Sequence, residues 1–318
     1  MVFKKMLSKL GVGAPTVDTV LTNPNTRPGL SLDGHVNIVG GTVDADIEHV
    51  TLSLVTRVDR GDHSGTVEFH RLPVTGRFTL KAGEKQSIPF QLPVPWETPI
   101  THVHGGQRLH GMVMGVRTEL AIAGAIDKGD LDDMSVHPLP AHEAILDAFG
   151  QLGFRFKKAD LEAGRIRGTQ QTLPFYQEIE YYAGPAYAHA LNEVEVTFIT
   201  STAGVDVVVE VDKRGGLFSG GHDVYFNLHV PHSDSGTDWA AHIDSWLQSK
   251  ILSHVPAHGA YGHSGHGYRH GGHGSHGHGH RGGMGAGAVV GGVAAGLVGG
   301  YVAGEIMDDM FDGGDEDF

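Results

Sequence analysis

The sequence predicts a mainly β protein: two antiparallel β-sandwich lobes, a few short helices and a disordered Gly/His-rich C-terminal tail. Three observations carry that expectation. Short segments alternate apolar and polar residues with period two and are bounded by Gly and Pro. Two blocks of such segments are separated by an acidic, turn-rich break at residues 127–133. After residue 254 the composition collapses to Gly, His and Ser, from which no packed core can form. At 318 residues the chain has the length of two domains and a tail.

The bulk numbers exclude several function classes. There are 23 Lys+Arg against 37 Asp+Glu, a formal net charge of −14, which argues against nucleic-acid partners because those require a basic face. Cysteine is absent, so disulfides, zinc–thiolate sites and cysteine nucleophiles are all excluded. The N-terminus lacks the apolar core of a secretory signal, and a cytoplasmic protein is expected.

The elements follow in order. Residues 1–12 place Val2, Phe3, Met6, Leu7 and Leu10 on one side of a helix and Lys4, Lys5 and Lys9 on the other. Such a helix serves either as a membrane-surface foot or as an element docked on its own domain. Val17, Val20 and Leu21 mark an edge strand. The stretch from Pro28 to Val58 organises the first lobe, 13–126. One strand carries Val36 and Ile38 and is closed by Gly40-Gly41. The next alternates Val50, Leu52 and Leu54 against Thr51, Ser53 and Val55, the pattern of a half-buried strand. A second sheet must cover these two. A polar loop at 59–65 and strands at 67–74 and 77–80 follow. Three prolines after a short strand that begins at Ile88, namely Pro93, Pro95 and Pro99, predict an irregular edge segment, because proline cannot donate to a ladder. Val116, Thr118, Leu120 and Ile122 form the last strand of a sandwich of about seven strands.

The order of these elements resembles the first lobe of the arrestin-like fold. It is carried by Gly34-His-Val-Asn-Ile38, by the Ile47–Leu54 strand, and by Phe90-Gln-Leu-Pro93 running to Pro99-Ile-Thr101. Within that fold the chain resembles the SpoOM sporulation-control family. Val17-Asp-Thr-Val-Leu21, Leu173-Pro-Phe-Tyr-Gln-Glu178 and Val209-Glu-Val-Asp-Lys-Arg-Gly-Gly-Leu-Phe218 carry that likeness, which spans roughly residues 1–252. The resemblance implies a cytoplasmic, non-enzymatic regulator acting through protein partners in sporulation or related development.

Residues 127–153 read as an acidic linker and a helix with Pro140 in its first turn, Ile145, Phe149 and Leu152 on its apolar side, and Gly153 at its end. A second lobe, 154–253, starts at Phe154. Its strands are expected at 173–182, 194–199, 205–211 and 224–230, with turns at 201–204 and 213–216. Trp239, Ile243, Trp246, Leu247 and Ile251 recur at helical spacing and close the folded part. The tail, 254–318, holds a His tract, an uncharged segment at 284–304 and an acidic end with seven Asp/Glu. In the uncharged segment Gly292, Gly296, Gly300 and Gly304 stand four apart. That spacing suits self-association or membrane association, the glycines letting helices approach closely, but their low hydrophobicity makes spanning marginal. Together with the N-terminal helix it predicts a reversible, two-point peripheral membrane contact.

Catalytic constellations are thin: phosphate loops, His-Glu-x-x-His and nucleophile elbows are absent. His102, His104 and His110 cluster near Arg108 and read as solvated loop residues. Glu178, Glu180, Asp206, Glu210 and Asp212 fall on strands of the second lobe, on a wet face or an inter-lobe contact. The candidate metal ligands are His263, His266, His270, His273, His276, His278 and His280, because neutral imidazoles on a flexible chain can wrap one transition-metal ion. A metal-handling protein is therefore the alternative to a regulator, with a weak divalent transition metal as its only cofactor; a plain spacer is the third use of the tract. Calorimetry with Ni or Zn at about pH 7.5, above the ordinary imidazole pKa, tests it. Heat is expected from the full chain and none from a chain ending at residue 253. Equal heat from both would place the site in the lobes.

Overall fold

A computed structural model describes residues 13–61, 63–213, 224–234 and 236–252. The expected N-terminal helix, the 213–216 turn beyond Lys213, the His tract, the glycine segment and the acidic end lie outside the described residues. The fold is mainly β and arrestin-like, as the sequence predicts.

The first lobe is a sandwich. One layer has three strands: β1 (Thr16–Leu21), β3 (Ser31–Val39) in the centre, and β7 (Lys85–Pro93). The short β2 (Asn25–Thr26) pairs elsewhere, in parallel with β10 (Ser135–Val136). The other layer is built on β4 (Ala45–Arg60), flanked by β5 (His63–Thr75) and β6 (Phe78–Leu80) on one side and β8 (Met114–Ile122) on the other. The two organising strands, β3 and β4, thus lie in opposite layers and cover each other, with the chain crossing between layers after Gly40-Gly41. Backbone closeness explains the glycines: a Cβ on Gly40 would lie 2.0 Å from Lys81 O, and one on Gly41 2.1 Å from Gly13 O. The interior is filled by Leu32, Val36, Ile38, Val50, Leu52, Leu54 and Leu92, all essentially inaccessible.

The structure corrects three expectations. β4 is not half-buried: every residue from Val50 to Thr56 is buried. Its polar face is covered by its neighbours, because Ser53 sits in register between Arg71 and Arg117, which reach across to Glu68. The polar loop at 59–65 is a tight hairpin tip between two long strands, with Gly61 at φ 66°. The linker at 127–133 is a strand, β9 (Lys128–Asp133), paired antiparallel with β8. Its charges hid it: as an edge strand it can leave Asp and Lys in solvent. The proline-rich segment, in contrast, is as expected: Pro89 and Pro93 lie on the edge strand β7, where a missing N–H costs nothing on the outer side, and residues 94–99, with Pro95 and Pro99, leave the sheet.

The second lobe has five strands, β11 (Arg155–Ala163), β12 (Phe175–Tyr182), β13 (Leu191–Thr200), β14 (Gly204–Lys213) and β15 (Val224–Pro231), antiparallel to one another in that order. Among the described residues the layer over this sheet is helical rather than a second sheet. It consists of α1 (Pro140–Gln151) and α2 (Trp239–Leu252). His142 of α1 packs on Phe198 at 4.7 Å and Phe149 stacks on Tyr181 at 5.6 Å, while Trp246 of α2 stacks on Phe226 at 4.5 Å. Burial, reinforced by His232, pushes the His142 imidazole down to about 3. It stays neutral and exchanges hydrogen bonds with the Leu139 N–H and Thr200 Oγ1.

The lobes are joined by a narrow backbone contact and a polar clasp. The parallel pairing of β11 with β4 is the single bridge Glu162–Asp59. Beside it, Gln177 Nε2 donates to Ile100 O at 2.8 Å and its Oε1 accepts from Ile100 N–H at 3.1 Å, both buried. The Glu97 carboxylate accepts from the Thr172 and Leu173 N–H groups and the Thr172 hydroxyl. Phe69 meets Phe175 edge-to-face at 5.7 Å. Gln177→Ala leaves both Ile100 groups buried without partners. It should lower stability by about 3 kcal/mol, shifting the melting point by roughly 8 °C in a domain of this size; differential scanning calorimetry measures this.

Candidate functional site

Strand register assembles a carboxylate face on the side of the second sheet away from the helices. Lys158 lies opposite Glu180, Glu180 opposite Glu195, and Glu195 opposite Glu210. One row along, Asp160 lies opposite Glu178, with Glu162 and Asp59 at the lobe junction. Three glutamates in one cross-strand row repel one another, an arrangement that costs stability wherever like charges stand directly opposite.

A β-bulge partly relieves this. The β11–β12 register shifts between Phe156 and Lys158, so two consecutive lysines reach one carboxylate, Glu180. Lys157 Nζ lies 2.7 Å from Glu180 and 2.5 Å from Glu193, and Lys158 Nζ lies 2.6 Å from Asp160 and 2.8 Å from Glu180. Burial opposes ionisation of Glu180, yet the two lysine bonds hold it below the ordinary carboxylate range. Burial, then the charges of Glu195, Asp160 and Glu162, push Glu178 up to about 8; burial, then Glu210 and Glu180, push Glu195 up to about 7. Asp160 Oδ1 is buried without a hydrogen-bond partner.

Three trios, Asp59/Asp160/Glu162, Asp160/Glu178/Glu180 and Glu180/Glu193/Glu195, have oxygens within 4.8 Å of one another. Oxygen-only sets suit a hard cation, but lysine ammonium groups already bond a carboxylate in each of the three.

The residues singled out from the sequence fall in different places. The His tract lies outside the described residues. His102 stacks on His137 at 4.7 Å, and Arg108 reaches Asp133 at 3.6 Å, far from any metal geometry among the described residues. Glu178, Glu180 and Glu210 are on the carboxylate face, while Asp206 is bonded to His229 Nδ1 at 2.6 Å. Asp160, Glu162, Glu193, Glu195 and the two lysines were not legible as a group. The signals for them were the Lys157-Lys158 pair, which breaks strand alternation, and the Glu193-x-Glu195 repeat.

The shifted pKa values predict a pH dependence. A carboxyl whose folded pKa is raised binds its proton more tightly in the folded state, so its stabilising effect is present at low pH and lost as pH rises. Stability should therefore fall between about pH 5 and pH 8 through Glu178 and Glu195, with Asp132, pushed up to about 7 by burial and its neighbours Asp130 and Asp18, acting in the same sense. Glu178→Gln should raise the melting point by about 3 °C at pH 8.5 and leave it unchanged at pH 5, read by thermal unfolding at both pH values.

The SpoOM protein family matches residues 3–215. The sporulation-control protein spo0M of Bacillus subtilis (strain 168) is 35% identical over 230 residues, covering 71% of this chain and 86% of that protein. The crystal structure of Spo0M, sporulation control protein, from Bacillus subtilis superposes with a TM-score of 0.63 at 30% identity, over 76% of this chain and 99% of that one. By these matches the chain belongs to the SpoOM family.

Proposed function

We propose that this protein is a non-enzymatic regulator of sporulation or related development, and that it works by protein–protein contact. The reading rests first on the family and on the name of the Bacillus subtilis relative, a sporulation-control protein. The mode of action rests on the carboxylate face. Glu195 stands between Glu180 and Glu210 in one row, and burial with these two neighbours holds its carboxyl above the ordinary range. A basic segment of a partner protein brings cations to that row. Its arrival lowers the pKa values of Glu178 and Glu195, so docking releases protons and strengthens as pH rises through about 7 to 8.

The proposed setting is the cytoplasm. Among the described residues no helix is long and apolar enough to cross a membrane. Complementation of a deletion strain tests the reading. Glu195→Lys with Glu210→Lys removes repulsion, so the melting point should hold or rise while sporulation control is lost. Retained control with both charges reversed would overturn the docking face. A chain ending at residue 253 should still complement; its failure would favour the metal-handling alternative.

A further inference from the structure

An edge strand leaves every second backbone N–H and C=O without a ladder partner, and natural proteins guard such edges with charge, proline or cover. Most edges here are guarded. β9 carries Lys128, Asp130, Asp132 and Asp133, and Asp130 Oδ2 takes the Thr19 N–H of β1 at 2.6 Å. β7 carries Pro89 and Pro93, and β5 carries Pro73 with Glu68 and Arg71. β15, at the other end of the large sheet, is different. From Val224 to Val230 it reads Val-Tyr-Phe-Asn-Leu-His-Val, with no Asp, Glu, Lys or Arg, and proline comes only at Pro231. Among the described residues nothing pairs with its outer side.

The free groups can be assigned. Ser201 N–H bonds Gly204 O at 2.9 Å, so Gly204 and every second residue along β14 turn their backbone toward β13. Val205, Val207 and Val209 turn toward β15, opposite Val230, Leu228 and Phe226. The N–H and C=O groups of Tyr225, Asn227 and His229 therefore point outward. Asn227 and His229 are exposed on the carboxylate face, while Phe226 and Leu228 are half-buried on the other, Phe226 against Trp246.

We propose that protein partners dock by adding an extended strand to β15, with basic side chains on the carboxylate face and apolar side chains beside Phe226 and Leu228. This rests on the docking reading above and names the form of the partner. Backbone bonding accounts for the unguarded edge, and charge selects the occupant. An added strand lies two strand spacings, about 10 Å, from the Glu210 row, within reach of a lysine or arginine side chain leaning toward it. A second copy of β15 brings no such cation.

The probe is an acetylated, amidated Lys–Val alternating decapeptide, titrated into the full chain at low salt. It should bind, and it should slow hydrogen exchange of the amides in 224–231. The same peptide N-methylated at its lysine residues, whose backbone would face Tyr225, Asn227 and His229, cannot complete the ladder and should bind at least tenfold more weakly, with no change to the protein. Asn227→Pro, which removes an outward N–H, should weaken binding at least tenfold while the circular dichroism stays unchanged. Equal affinity for the methylated peptide would overturn strand addition. If that peptide is nevertheless weakened by Glu195→Gln with Glu210→Gln, the carboxylate docking face stands and only its strand form falls. Failure of the wild-type chain to bind the Lys–Val peptide would overturn the proposal. So would concentration-dependent protection of 224–231 without peptide, because a second copy would then fill the edge.

Discussion

The structure depends on one buried carboxamide. Gln177 presents to Ile100 the same donor and acceptor that a neighbouring strand would present, and it does so where the two lobes touch through a single backbone bridge. A hydrophobic seam alone would allow the lobes to slide, since dispersion contacts carry little direction. Two buried hydrogen bonds to fixed backbone atoms do not, because leaving either group unpaired is expensive. Glu97 extends the clasp by gathering the N–H groups of Thr172 and Leu173. The Leu173–Glu178 segment that likens this chain to its family is thus, physically, the lobe junction: Leu173 N–H meets Glu97, Phe175 meets Phe69 and Gln177 meets Ile100.

That rigid junction sets the stage for the carboxylate face. Asp59 of the first lobe is brought beside Asp160 and Glu162 of the second, so the acidic surface crosses the seam. Alternate residues of β12 do opposite work: Phe175, Gln177, Ile179 and Tyr181 build the core and the clasp, while Glu178 and Glu180 build the face. The bulge at Lys157 is what makes the face tolerable, because two lysines from adjacent positions share Glu180. Burial and the neighbouring carboxylates make Glu178 and Glu195 hold their protons to a higher pH than an ordinary glutamate does.

Much of this was legible in the sequence. Period-two alternation identified most strands, amphipathic spacing identified α1 and α2, and the order of short motifs identified the family. The local reading failed where the environment contradicted the local pattern. Lys128–Asp133 looked like a loop because an edge strand can be as polar as one. Val50–Thr56 looked half-exposed because the arginine stems that cover it come from strands distant in sequence. The missed members of the carboxylate face failed for a related reason: Asp160, Glu193 and Glu195 are each ordinary alone and become a group only through register.

The sequence by itself determined the β character, the absence of thiol chemistry, the acidic balance and the positions of the helices, since these depend on composition and on contacts within a few residues. Only the tertiary structure decided which strands share a layer, that helices cover the second sheet, that Gln177 joins the lobes and that Glu180, Glu195 and Glu210 stand in a row. Each of those is a pairing between residues far apart in the chain. A one-residue change of register would send every such side chain to the other face, and local periodicity carries no record of which register the assembled sheet adopts.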